Sequence, residues 1–226
     1  MVGTLRIGKL KRYDNHPRID GFKNIIVCRV NKKWGKLSPM RLGPFKMVEE
    51  ISPNALYTSG IHPGFEKVGD KQVCVWQNME NMWQFSKIYS VDVDADGNVT
   101  DKFYKRREQG MLDPKPHRRV FPKNSPVKTL SSYYNGRFYD YQQSRYWYCI
   151  YYTFLSRKVS EYHTIVGYLS MGVNILLLDY DAPDNSHNTP ITREYLYSEY
   201  KQTNHPFGHA MVLAGDILGI RPWLDV

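Results

Sequence analysis

Residues 173–184 read VNILLLDYDAPD, and this stretch decides the fold class. Ile175, Leu176, Leu177 and Leu178 follow one another without the alternation of a half-exposed strand or the spacing of an amphipathic helix. A short apolar run closed by acid fits a buried strand, Ile175 to Leu178. Asp179, Asp181 and Asp184 stand at or just past its end, where a strand hands its side chains to a cleft. Two more runs read as strands: 24–30, NIIVCRV, which is β-branched and short, and 71–76, KQVCVW. With no internal repeat and no low-complexity linker, the expectation is a single α+β domain over 1–226, mainly helical, with one small sheet from 24–30, 71–76 and 174–179.

The helices are read from period and caps. Residues 75–89, VWQNMENMWQFSKIY, carry apolar side chains at helical spacing after Asn78, whose side-chain oxygen suits a cap. On that helix Glu80, Gln84 and Lys87 lie at i, i+4 and i+7 along one stripe, and Met79, Met82, Trp83 and Ser86 along the next. Facing water, Glu80 and Gln84 would be an ordinary pair of about 0.3 kcal/mol. Facing a pocket, a carboxylate beside tryptophan is partly desolvated and suits acid or base work. Periodicity leaves both readings open.

Residues 140–158, DYQQSRYWYCIYYTFLSRK, are apolar almost all round, the pattern of a central buried helix. Arg145 stands alone in that run, and a buried guanidinium needs an anionic or hydrogen-bonding partner, from the protein or from a ligand phosphate. Residues 160–172, SEYHTIVGYLSMG, make a further helix with Ser160 as cap and Gly172 as stop. A last helix spans 206–218. Gly208 and Ala210 allow close approach to its first turn, whose free N–H groups favour anions. His205 and His209 are four apart on it, but no H-E-x-x-H glutamate lies between them, so capping or phosphate contact is expected there and no metal.

The loops carry charge. Residues 105–128, KRREQGMLDPKPHRRVFPKNSPVK, hold four prolines and a dense run of cations, which predicts irregular backbone and either a functional or a solvated excursion. Asp92, Asp94, Asp96 and Gly97 match the first half of an EF-hand loop, but its twelfth position is Phe103 where a bidentate Glu is required. A polar turn with Gly97 at positive φ explains the same letters.

The 226 residues carry a net charge of +9, with 42% hydrophobic content, enough for a real core. Residues 174–226 hold seven carboxylates against three Lys or Arg, so this tail is at −4 and the first 173 residues, including the basic segment 1–23, are at +13. Such a field attracts phosphates on a nucleotide, a nucleic acid or a membrane surface, and it equally serves solubility. Eighteen tyrosines suit stacking on bases, or an amphipathic core. No run of eighteen apolar residues appears, and Cys28, Cys74 and Cys149 are too widely spaced for a disulfide framework or a zinc site. A soluble, cytoplasmic protein in a reducing compartment, without membrane association, is expected. No G-x-S-x-G, Walker A or G-x-G-x-x-G motif is present, and neither cofactor nor metal is expected.

Five segments come in a telling order: KLSPMRLGPF, NMENMWQFSKIY, SRYWYCIYYTFLSRK, LSMGVNILLLDYDAPD and HPFGHAMVLAGDIL. Across about 36–218 this order resembles the NADAR superfamily, the NAD- and ADP-ribose-associated domains. Those proteins run a short turn, an S-E-H-x-x-Q-x-x-K helix, an aromatic and basic helix, a leucine-rich segment leading to acid, and a final Gly-containing helix. Glu80, Gln84 and Lys87 fit the second motif, with Asn81 where the family has His, and DYDAPDNSHN stands where the family has a Trp-Gly-Asp segment.

The resemblance implies N-glycosidic chemistry on a ribosyl or ADP-ribosyl substrate, free or carried on DNA or RNA. Breaking such a bond makes an oxocarbenium-like centre, which calls for a carboxylate to stabilise the cation or activate water and a group to assist the departing base. Under that reading Glu80 pairs with one of Asp179, Asp181 and Asp184. Trp83 stacks on a base or ribose face, Gln84 and Asn78 border the substrate, and Lys87, Arg145, Arg118 and Arg119 hold phosphates, as do His205, Gly208 and His209 at the last helix. Two rival readings stay open: a nucleotide or nucleic-acid binding module without turnover, and a viral or structural protein whose basic loop meets a polyanion.

Overall fold

The computed structural model describes residues 3–9, 25–29, 35–49, 65–68, 71–122, 124–134, 137–183 and 189–225. Asp184, most of the basic 1–23 segment and residues 50–64 lie outside the described residues. The fold is mixed α+β and divides into two compact units, Met1–Arg41 with Cys149–Val226, and Leu42–Tyr148.

In the first unit, β1 (Leu5–Lys9), β2 (Ile25–Arg29) and β9 (Asn174–Asp179) form a parallel sheet in the order β1-β9-β2. The central place of β9 explains its unbroken apolar run, since a middle parallel strand is covered on both faces and needs no polar alternation. Ile175 to Leu178 are all buried. Helix α4 (Ser160–Ser170) packs on β9, and α6 (His209–Ile217) packs on β1 and β9. Every α6 residue from Ala210 to Asp216 is buried, so this helix is core on all sides. Gly172, at φ 84°, ends α4 as expected, but the cap position belongs to Val159 and Ser160 is the first helical residue. Helix α5 (Arg193–Lys201) was not among the sequence expectations, although Thr192 caps it through Oγ1 and Glu194 and Lys201 sit at the ends its dipole favours. Asp216 of α6 is buried and bound by Arg157, Arg221 and the Tyr162 hydroxyl. Burial, and then that hydrogen bond, pushes the Tyr162 hydroxyl up from its ordinary value.

The second unit holds two antiparallel sheets, β3-β5-β4 (Phe45–Glu49, Lys71–Trp76, Phe65–Val68) and β6-β7-β8 (Lys87–Tyr89, Thr129–Tyr134, Arg137–Tyr139). The expected single sheet is therefore corrected: 71–76 pairs with 45–49 and 65–68, while 25–29 and 174–179 belong to the parallel sheet. A buried apolar strand states its burial in its composition but not its partner, which is why the sequence misassigned β5. Helix α1 (Met79–Phe85) and helix α2 (Asp101–Leu112) pack on each other and on β5. The expected irregular stretch over 105–128 is helical as far as Leu112, because its first proline is Pro114. In the turn before α2, Asp94 Oδ1 accepts from the amides of Asp96 and Asn98, with Gly97 at φ 84°, as the polar-turn reading requires. Asp92, the first position of the would-be calcium loop, is buried and engaged by Arg106 and Arg119. Helix α3 (Tyr141–Ser156) contains the boundary between the two units.

Candidate active site

The carboxylate of interest belongs to a short helix fixed at both ends. Asn78 caps α1, its Oδ1 accepting from the Asn81 amide at 2.9 Å. The Met79 amide donates to the Leu42 carbonyl at 2.8 Å, and Gly43 lets that loop approach: a Cβ there, at φ 156°, would overlap the Gln77 carbonyl oxygen. The helix ends at Phe85, one turn short of the expected length, and Lys87 opens β6. Lys87 is thus off the helical stripe, although its Nζ donates to Gln84 Oε1 at 3.1 Å and lies 5.0 Å from the Trp83 ring centroid. Trp83 meets the Tyr148 ring edge-on at 5.0 Å.

Glu80 faces protein and not bulk water, being 5% exposed. Its Oε1 accepts from Gln84 Nε2 at 3.0 Å and from Arg118 Nε at 2.8 Å. Among the described residues no donor reaches Oε2. One oxygen is therefore pinned and charge-compensated.

Asn81 is the residue that sequence reasoning missed. It is fully buried, and its Nδ2 lies 3.2, 3.0 and 2.9 Å from the carbonyls of Gly110, Asp113 and Lys115, while its Oδ1 accepts from the His117 amide at 2.8 Å. Asn78 adds contacts from Nδ2 to the carbonyls of Asp113 and Pro114, so its side chain serves the 113–117 strap, not a substrate. This strap carries Arg118 to Glu80. Within it, the Lys115 amide and then His117 hold the Asp113 carboxyl below its usual range. The one signal for Asn81 was its departure from the family motif: an amide can both donate to carbonyls and accept from an amide.

Arg119 does not stand ready for phosphate. Its Nη1 grips Asp92 at 2.8 and 3.0 Å, and its guanidinium lies 4.9 Å from the Phe121 ring centroid. Arg106 shares Asp92 at 2.9 Å, and burial lowers the Arg106 pKa against the opposing pull of that carboxylate. Arg145 is buried in α3, 4.9 Å from the Tyr141 ring centroid.

The acid-ended strand builds a different arrangement in the first unit. Asp179 Oδ2 accepts from the Ala210 amide at 3.2 Å and lies 3.3 Å from His209 Nδ1, and Oδ1 faces the Asp181 amide at 3.4 Å. The anion at the first turn of α6 is the chain's own carboxylate, which replaces the phosphate expected there. Gly208 serves this contact: a Cβ would lie 2.8 Å from Asp179 Oδ2 and 2.9 Å from Asp181 Cβ. Burial, and then the Asp179 charge, pushes the Tyr152 hydroxyl well above its ordinary value, and it donates to the Leu37 carbonyl at 2.8 Å. His205 precedes the helix and does not share a face with His209; it pairs with Glu199 at 3.1 Å.

Among the described residues no group of three or more His, Cys, Asp or Glu is placed to hold a metal, and no helix is long and apolar enough to cross a membrane. Cys28, Cys74 and Cys149 are buried and none is in a disulfide. Compared with known proteins, the chain matches no family model, no curated protein and no solved structure. The likeness to NADAR domains accordingly rests on the order of its motifs alone.

Proposed function

We propose that this chain is an N-glycosidase-like hydrolase acting on the ribosyl–nitrogen or ADP-ribosyl–nitrogen bond of a nucleotide or a modified nucleic-acid base. The observation that carries the reading is the state of Glu80: a buried carboxylate with one oxygen fixed by Gln84 and Arg118 and the other reached by no donor among the described residues. As the C1′–N bond lengthens, positive charge grows on the ribose ring, and a fixed carboxylate stabilises that charge or takes a proton from the attacking water. Trp83, backed by Tyr148, offers a flat face for a base or sugar, and Lys87 and Arg118 bring cations to the same helix. Released base, followed chromatographically from ADP-ribosylated nucleobases and ribosylated nucleotides, tests the reading against Glu80→Gln.

A second reading is a binding module without turnover, favoured by the Arg118 contact, which neutralises the carboxylate in the free protein. It predicts nucleotide binding that Glu80→Gln leaves intact, affinity that falls steeply with salt, and no base release.

A further inference from the structure

We propose that the guanidinium of Arg119 binds a small aromatic monocarboxylate, at a site separate from that of Glu80. Asp92 is fully buried, and its two oxygens already accept from Arg106 Nη2, from the Tyr89 amide and, twice, from Arg119 Nη1. Two guanidiniums thus share one carboxylate, which leaves the cluster one positive charge in excess. No second carboxylate among the described residues pairs with either arginine. Their side chains are only 15% and 23% exposed, so water offsets the excess poorly.

Arg106 is not the place for the missing anion. Its Nη2 serves Asp92 and the Lys87 carbonyl, and its Nε and Nη1 are buried, with the rings of Phe85, Tyr89 and Phe103 around the guanidinium. Arg119 spends only Nη1 on Asp92. Its Nε and Nη2 donate to nothing among the described residues, and solvent reaches both. Those two groups form the edge that meets a carboxylate with two parallel bonds. The grip of Asp92 on Nη1 holds that edge in place before a ligand arrives, which lowers the cost of binding. A monoanion brings the cluster to neutrality, whereas a phosphate group at about −1.5 to −2 overshoots it. The guanidinium also lies 4.9 and 5.2 Å from the ring centroids of Phe121 and Tyr89. Tyr89 is buried, but Phe121 is half-buried and Val120 beside it is 83% exposed, so the apolar body of the ligand has a surface to rest on next to the fork.

The test is an NMR titration of the full chain at neutral pH that follows the arginine Nε–H signals during addition of benzoate, acetate, benzamide or inorganic phosphate. Benzoate is expected to move the Arg119 signal saturably and to leave the Arg118 signal in place, since that Nε is bonded to Glu80. Acetate and phosphate are expected to bind several-fold more weakly, and benzamide, which has the ring without the charge, to leave the signal unmoved. Arg119→Lys keeps a cation for Asp92 but removes the fork, and is expected to weaken benzoate about tenfold, read from the backbone amides of residues 119–121. The ligand series on the wild type decides the case even where that variant is destabilised. An Arg119 signal that ignores benzoate, or benzoate binding that Arg119→Lys leaves undiminished, overturns the proposal. So does benzamide, acetate or phosphate binding as tightly as benzoate, which would reveal a plain ring site or a plain anion site.

Discussion

Asn81 Oδ1 accepts the backbone amide of His117 at 2.8 Å, joining residues 36 apart in sequence. With the three carbonyls around its Nδ2, this fully buried amide fastens the 113–117 strap to α1 and so decides where Arg118 meets Glu80.

Asn81→Ala should therefore be among the most destabilising changes in this unit. It strands the His117 amide and several carbonyls, each costing about 1–3 kcal/mol if left unsatisfied. We expect a loss of about 2–4 kcal/mol in chemical denaturation. A loss below half a kcal/mol would show that the strap does not depend on Asn81.

Acid should loosen the same strap once Asp113 is protonated. The Asp113 carboxyl is held below its ordinary value in the folded chain by the Lys115 amide and His117. A depressed pKa means its stabilising contribution is complete above the unfolded value and is lost as pH falls through the lower folded one. Amide exchange at Lys115 and His117 should therefore accelerate below about pH 4, the ordinary carboxylate range, and Asp113→Asn should abolish that dependence.

In the other unit, Asp216 receives Arg157, Arg221 and Tyr162 while nearly inaccessible. Hydrogen bonds to a charged group contribute about 1.5–3 kcal/mol. Asp216→Asn should cost about 2–3 kcal/mol in denaturation while leaving ligand binding at the Glu80 site unchanged.

Gly208→Ala tests whether the first turn of α6 is built around Asp179. The added Cβ would lie 2.8 Å from Asp179 Oδ2, well inside van der Waals contact, and overpacking of this sort costs about 1–3 kcal/mol. A neutral result would mean that the Asp179 side chain is free to move aside.

Much of this was legible in the chain. The run at 175–178 announced a buried strand, and Asn78 and Gly172 marked helix ends where the structure has them. What failed were statements about partners. Nothing local tells β5 which strands to join, because register and neighbours are set by packing at long range. Periodicity carried the α1 stripe through Lys87, but the backbone turns at Ser86 into β6. The cations at 118 and 119 read as a pair, yet one caps a buried carboxylate on α1 and the other is locked to Asp92. Adjacent residues of an irregular segment face different neighbours, and composition does not record which. Asn81 was passed over because a lone amide in a helix carries no periodic signal.

The most direct measurement of the central claim is the single-turnover rate of base release by Glu80→Gln against wild type, on an ADP-ribosylated or ribosylated base that the wild type cleaves. Acid–base contributions of one carboxylate run to about 10²–10⁴-fold, so the account predicts a loss of that size with the unfolding transition unmoved. A Glu80→Gln variant that stays folded and releases base at the wild-type rate would contradict it.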